Sequence, residues 1–253
     1  MTTIRKYLRW TLFVLLIILG IILTILFLRN TVPTSGLSSR IVTSWLGLAA
    51  RVFGVRIKTH GIALKEKTLF VANHISWLDI LVIGSLRPMH FLSKHEVKTM
   101  PLLGWLATRA GTLYIKRGYH DSASFASSEI TAALNKNHNS LVFAEGTTSD
   151  GNLKKFHGRM MQSAINAHAM VQPVAIFYPE ADTETGKIRL NPDTLFIGDT
   201  SIGESAERII RSPAIDVEVH FLKPITSTGC TRDEIAQHAY EEVAEAISSI
   251  KNI

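Results

Sequence analysis

His74 and Asp79 stand five positions apart in the run N-H-I-S-W-L-D at residues 73–79. An imidazole has its ordinary pKa near neutrality, so it suits the removal of a proton from a hydroxyl that must attack a carbonyl. Its second ring nitrogen then needs an acceptor to set the tautomer and to stabilise the imidazolium that forms, a role open to Asp79. On one straight helix the two side chains would point apart. With His74 in a loop and Asp79 in the first turn of the following helix, the chain brings them together. The bland alternatives are a structural histidine and a capping box, with Ser76 as N-cap and Asp79 at N3. Capping and catalysis are compatible, because a carboxylate held at a helix start is well placed to orient an imidazole.

A second group lies downstream. Arg117 follows Lys116 at the end of a predicted strand, where its planar fork suits a phosphate or is simply solvated. Glu145 and Gly146 close the run SLVFAE and open the turn Thr147-Thr148-Ser149-Asp150-Gly151. A carboxylate there could bind acceptor hydroxyls or be an exposed turn residue, and the glycine permits close approach of a ligand to the backbone. The same turn superficially suggests a serine nucleophile, but one residue too many separates Gly146 from Ser149 for G-x-S-x-G. Cys230 is the single cysteine, which excludes an intrachain disulfide and favours a reducing compartment. The ten histidines show no H-E-x-x-H or paired spacing, so no metal is expected.

The elements that must position these groups are short β-rich runs alternating with helical patterns. TLFVAN, MHFLSK, TLYIK, SLVFAE and MVQPVAIFY are predicted strands, giving an α/β fold with a single mixed sheet flanked by helices. Ile215, Val217, Val219 and Phe221 alternate with polar residues, as in a half-buried strand expected near a sheet edge. Residues 231–250 read as a helix with Thr231 as cap and Asp233 and Glu234 in its first turn.

With 253 residues the chain has room for one domain, assigned to 56–253, plus a membrane-attachment segment over 1–55. Residues 10–28 form an uncharged run that as a helix spans about 28 Å, close to the hydrocarbon thickness of a bilayer. A cleaved signal peptide is the competing reading. Arg5, Lys6 and Arg9 precede the run and Arg29 and Arg40 follow it, a bias that favours a cytoplasmic N-terminus. Residues 41–55 suit an interfacial segment, and Pro33, Ser35 and Gly36 supply a turn for a helical hairpin; a span followed by a core helix is the alternative. A net charge of +6 beside this segment points to membrane lipids rather than nucleic acid.

The block N-H-I-S-W-L-D resembles the N-H-x-x-x-x-D block of glycerolipid acyltransferases, the lysophosphatidic acid (1-acyl-sn-glycerol-3-phosphate) acyltransferase family. Three further blocks resemble that family in order and spacing: G-T-L-Y-I-K-R at 111–117, F-A-E-G-T at 143–147 and V-Q-P-V-A at 171–175. The resemblance implies a glycerol-3-phosphate acyltransferase-like fold and catalytic His74 and Asp79. It places Asn73, Arg117, Glu145, Gly146 and Thr147 at the acceptor. It also implies acyl-CoA or acyl carrier protein as co-substrate with no resident cofactor, a lysophospholipid acceptor yielding phosphatidic acid, and action at the cytoplasmic face of the inner membrane.

Two departures bear on the acceptor. Thr148 stands where the family commonly has Arg after E-G-T, and His157 follows Phe156 where a Lys is common. Lys154, Lys155 and Arg159 could compensate as nearby charges. The string E-G-T-T-S-D-G also resembles a subset of the family that acylates lyso-ornithine lipids. Backbone N–H groups near Ile75 and Ser76, or at Gly146, are candidates for the oxyanion site. A serine hydrolase and a non-catalytic lipid-binding membrane protein are the readings from other classes.

Overall fold

The computed structural model describes residues 2–28, 36–65, 67–116 and 122–252. Arg29, Pro33, Ser35 and Arg117 lie outside the described residues. Strands β1 (Val55–His60), β2 (Thr68–Ala72), β3 (His90–Lys94), β4 (Leu113–Ile115), β5 (Ser140–Phe143), β6 (Met170–Phe177), β7 (Pro179–Ala181), β8 (Ile188–Leu190), β9 (Ile215–Phe221) and β10 (Ile225–Thr226) follow in chain order. The main sheet runs β1-β9-β6-β2-β5-β3-β4, with β10 beside β6, while β7 and β8 form a separate hairpin. It is mixed: β6 is antiparallel to β9 and β10, and the other neighbours are parallel.

The five predicted strands correspond to β2 to β6, and the alternating segment is β9. β9 lies near the edge, one strand in from β1, which pairs with it in parallel. The pairing is supported on the polar face by Arg56 with Asp216 at 2.6 Å and Lys58 with Glu218 at 3.2 Å, between residues in direct register.

Helices are α1 (Thr2–Phe27), α2 (Gly36–Val52), α3 (Leu78–Leu86), α4 (His95–Lys98), α5 (Leu103–Arg109), α6 (Ser122–Asn135), α7 (Gln162–Ala167), α8 (Ile202–Arg211) and α9 (Arg232–Lys251). The strand pleat sends alternate residues to two cores. Phe70, Val174, Ile176, Val217 and Val219 meet Ile75, Leu78, Val82 and Ile83 at and after the His74 loop on one face. Leu69, Val71, Ala175 and Phe177 meet Ile235, Ala239, Val243 and Ile247 of α9 on the other. Thr231 and Glu234 form the capping box that starts α9, as the sequence predicts.

Helices α1 and α2 form an antiparallel hairpin. Phe13 and Leu16 pack on Ala49 and Val52, and the Trp45 indole donates to the Leu16 carbonyl at 2.9 Å. Gly20 makes this approach possible, since a Cβ there would lie 2.8 Å from Trp45 Nε1. Near its start α1 is tied to the domain: the Arg9 guanidinium donates to the carbonyls of Ile210, Ser212 and Pro213, and the Trp10 indole to Glu207. α1 is long and apolar enough to cross a membrane, and many of its large side chains, among them Val14, Leu15, Ile18, Ile22 and Ile25, are exposed.

Residues 41–55 divide between two elements. Within α2, Leu46, Ala49, Ala50 and Val52 are buried, and α2 packs on α3 through Gly47 against Ser85 and Gly84 against Leu46; Val55 opens β1. Small residues at the crossing let the two backbones come close.

Candidate active site

β2 ends at Ala72 in the middle of the sheet, and the chain leaves it through a five-residue connection, 73–77, before α3. The Asn73 amide is bonded both ways to the β6 backbone, Nδ2 donating to the Ile176 carbonyl at 2.9 Å and Oδ1 accepting its N–H at 2.8 Å. Asn73 is buried, and it fixes the exit of the loop from the sheet.

His74 and Asp79 are brought together. The imidazole Nδ1 lies 2.8 Å from Asp79 Oδ2, which also accepts the N–H groups of Ile75 at 2.8 Å and Ser76 at 3.1 Å. The Tyr178 hydroxyl donates to the other oxygen, Oδ1, at 2.6 Å. Asp79 is 0 % exposed, and a group surrounded by donors is held as an acceptor-only carboxylate. Nδ1 therefore carries the proton, and the Nε2 lone pair is the basic site. Among the described residues Nε2 has no hydrogen-bond partner. The ring stacks on Phe143 at 3.8 Å between centroids, and 18 % of its side chain stays exposed. A neutral imidazole with one nitrogen anchored and the other open can take a proton from an incoming hydroxyl.

The predicted capping box does not form, because no side chain makes a cap bond at the start of α3. The Ser76 hydroxyl is buried without a partner among the described residues, and the N-cap position falls on Trp77. Asp79 reaches back instead to the loop N–H groups of Ile75 and Ser76, which precede that position. The same bonds correct the oxyanion expectation: the N–H groups of Ile75 and Ser76 are engaged by Asp79, and that of Gly146 donates to the Phe143 carbonyl at 3.0 Å.

Glu145 is not on the surface. It is 3 % exposed, with Oε1 accepting the His74 N–H at 2.7 Å and Oε2 the Lys154 N–H at 2.9 Å. Burial raises its carboxyl above the usual range, against the opposing effect of these bonds. Gly146 has φ of +68°, which turns the chain so that Thr147 is exposed. Ser149 is buried, and its N–H and hydroxyl both donate to the His74 carbonyl, at 2.8 and 3.2 Å, rather than to the ring; this does not suit a nucleophile. The Thr148 hydroxyl donates to the Phe196 carbonyl, and Lys154 Nζ to the Thr148 carbonyl at 3.0 Å.

The sequence reading missed Tyr178 and Phe143. Both sit in or just past apolar strands and read as core; the only available signal was a hydroxyl-bearing residue closing an otherwise apolar run. Ligand-like spacing among the described residues occurs at His60, Glu218 and His220. The rings of His60 and His220 stack as register neighbours, and Glu218 also accepts Lys58. They lie on the opposite face of β9 from Val219 and Phe221, which share a core with Tyr178, so they do not join the His74 site.

A family model described as Acyltransferase matches residues 55–177, which contain Asn73, His74, Asp79 and Glu145. Over 224 residues the chain is 38 % identical to the lyso-ornithine lipid O-acyltransferase of Pseudomonas aeruginosa, covering 87 % of this chain and 84 % of that one. The chain belongs to the glycerolipid acyltransferase family. It is also 31 % identical over 176 residues to the 1-acyl-sn-glycerol-3-phosphate acyltransferase of Neisseria gonorrhoeae, covering 69 % and 67 % of the two chains. The crystal structure of the 1-acyl-sn-glycerophosphate acyltransferase of Thermotoga maritima superposes with a TM-score of 0.68 at 16 % identity, covering 99 % of this chain and 97 % of that one. That likeness establishes the acyltransferase fold, including a mixed sheet flanked by helices. Membership makes the protein an acyltransferase of lysolipids.

Proposed function

We propose that this acyltransferase moves a fatty-acyl group from acyl-CoA or acyl carrier protein to the hydroxyl of lyso-ornithine lipid, with His74 as general base and Asp79 as its orienting partner. The observation that carries the choice of acceptor is Thr148. It stands where the resembled family commonly has Arg, and its hydroxyl is spent on the Phe196 carbonyl, so a bidentate phosphate grip is missing from that position. The 38 % identity to the Pseudomonas aeruginosa protein supports the same reading.

In this mechanism the acceptor hydroxyl binds at Nε2 and gives up its proton as its oxygen attacks the thioester carbonyl. The tetrahedral intermediate collapses by breaking the carbon–sulfur bond, and the imidazolium returns the proton to the leaving thiolate. The products are an ester and a free thiol, and no covalent enzyme intermediate is needed. Asp79 holds the reactive tautomer and offsets the imidazolium charge. Asn73 and Glu145 act on the backbone around His74 as positioning residues. Thr147 and Gly146 face the acceptor side of the turn, and Arg117 is assigned to the headgroup from its place in the third strand block.

The reaction is proposed to take place at the cytoplasmic face of the cell membrane, with α1 and α2 as the attachment. The link from Arg9 to residues 210–213 supports this, because it keeps the cationic start of α1 beside the domain. Phosphatidic acid formation from lysophosphatidic acid is the second reading, favoured by Lys154, whose ammonium lies at the same turn as Thr148.

The test is transfer from a radiolabelled acyl thioester by the purified protein, with lyso-ornithine lipid and lysophosphatidic acid supplied separately and then in competition. Preferred labelling of lyso-ornithine lipid is expected, and loss of all transfer in His74→Ala. Exclusive labelling of lysophosphatidic acid would reverse the acceptor assignment, and turnover by folded His74→Ala would remove the base assignment.

A further inference from the structure

We propose that Tyr178 is a positioning residue for the base: its hydroxyl pins the second oxygen of Asp79, so that the carboxylate offers one fixed oxygen to His74. The inference rests on the reading of His74 as general base. The Tyr178 hydroxyl lies 2.6 Å from Asp79 Oδ1, and both residues are 0 % exposed. Tyr178 directly follows β6, in the core that also holds Ile75 and Leu78. Oδ2 carries three N–H groups, including Nδ1 of His74.

The terminal torsion of a carboxylate is soft and nearly two-fold. Without the phenol, Oδ1 would be a buried charged oxygen lacking a donor, and rotation of the carboxyl would compete with the bond to His74. Burial, together with the charge of Asp79, pushes the phenol well above its ordinary range, so it remains a neutral donor across the working pH. The titratable groups that face the pair among the described residues are Tyr178 on Asp79 and Glu145 on the His74 N–H. Tyr178 is out of reach of any substrate, which separates its action from binding.

Tyr178→Phe removes only the hydroxyl. The expected result is a fall in kcat of roughly ten- to a hundredfold, the range that partners one step removed from a site typically command, with KM for donor and acceptor near wild type. The acid limb of the kcat–pH profile should move, because loss of the phenol changes both the charge on the carboxylate and its hold on the protonated imidazole. Placing 3-fluorotyrosine at position 178 strengthens the donor at nearly unchanged shape and should move the same limb to lower pH.

Unchanged kcat and an unmoved limb in folded Tyr178→Phe overturn the proposal. If thermal scans show that this variant is unfolded, the fluorotyrosine protein decides, and an unmoved limb there overturns it. His74→Ala in parallel separates the two ideas: retained activity defeats the base assignment, whereas an inactive His74→Ala beside a silent Tyr178→Phe defeats only the role of Tyr178.

Discussion

Glu145 Oε1 accepts the backbone N–H of His74 at 2.7 Å, so the base is held twice, its ring by Asp79 and its peptide by the residue that follows the end of β5 by two positions. The other oxygen of Glu145 holds Lys154 N–H, which fastens the 146–153 turn to the same carboxylate.

Replacing Glu145 with Gln turns an amide NH₂ toward one of these two N–H donors. A loss of about 1–3 kcal/mol of stability is expected from the buried donor left unpaired. Turnover should fall with little change in KM, as measured by thermal unfolding and steady-state kinetics. Burial raises the Glu145 carboxyl, so the folded state binds its proton more tightly than the unfolded chain does. Its contribution is fully present below the ordinary glutamate range and is lost as pH rises through the raised value. The stability gap between wild type and Glu145→Gln should therefore narrow from about pH 4 toward neutrality. A gap that widens over that range contradicts the assignment.

Thr148→Arg is expected to break the tie to the Phe196 carbonyl and to present a guanidinium at the 145–151 turn. Transfer to lysophosphatidic acid should rise relative to lyso-ornithine lipid by about tenfold, the worth of one modest charged hydrogen bond. The ratio of the two kcat/KM values is the measurement. An unchanged ratio means that this position does not read the headgroup.

His90 sits at the start of β3 with Nδ1 2.7 Å from the Gly111 carbonyl and Nε2 facing His138. Burial lowers its pKa despite the Gly111 bond, and His138 is lowered by burial and by His90, with Lys136 adding to both. As pH falls through the ordinary histidine range, the unfolded chain takes up protons that the folded chain resists. Stability is thus present above that range and lost on acidification. Between about pH 7.5 and about pH 5.5 the melting temperature of wild type should drop more steeply than that of His90→Asn. Parallel slopes would show that the pair does not govern acid stability.

Gly84 lies where α3 crosses α2, and a Cβ there would meet Leu46 Cδ1 at 2.5 Å and Phe91 Cε2 at 3.2 Å. In Gly84→Ala the movable end of Leu46 can yield, and a gain in helix propensity of about 1 kcal/mol offsets the strain. Gly84→Val adds two further carbons to the crossing and should cost about 1–3 kcal/mol. Chemical denaturation in detergent compares the two. Equal stability of Ala and Val would show that the helices are not closely packed there.

Most of the strand order in the chain was legible from residue pattern alone, because β2, β3, β5 and β6 are apolar runs with turn signals at their ends. β9 shows a full alternation of buried and half-buried positions. β1 escaped, since four of the six residues of V-R-I-K-T-H are polar and its partner lies 160 residues on, which no local pattern announces. With β1 unseen, β9 reads only as near the sheet edge, and the edge itself is β1.

What the sequence by itself determined is the short-range part of the site. His74 and Asp79 are five positions apart, and a loop leading into a helix brings them together through local geometry. Tertiary structure decided the rest. Tyr178 reaches Asp79 across 99 positions and Glu145 reaches His74 across 71, and both meetings depend on β6 and β5 flanking β2 in the sheet. Whether a carboxylate binds substrate or holds a backbone N–H depends on what surrounds it after folding, and composition and spacing do not carry that information.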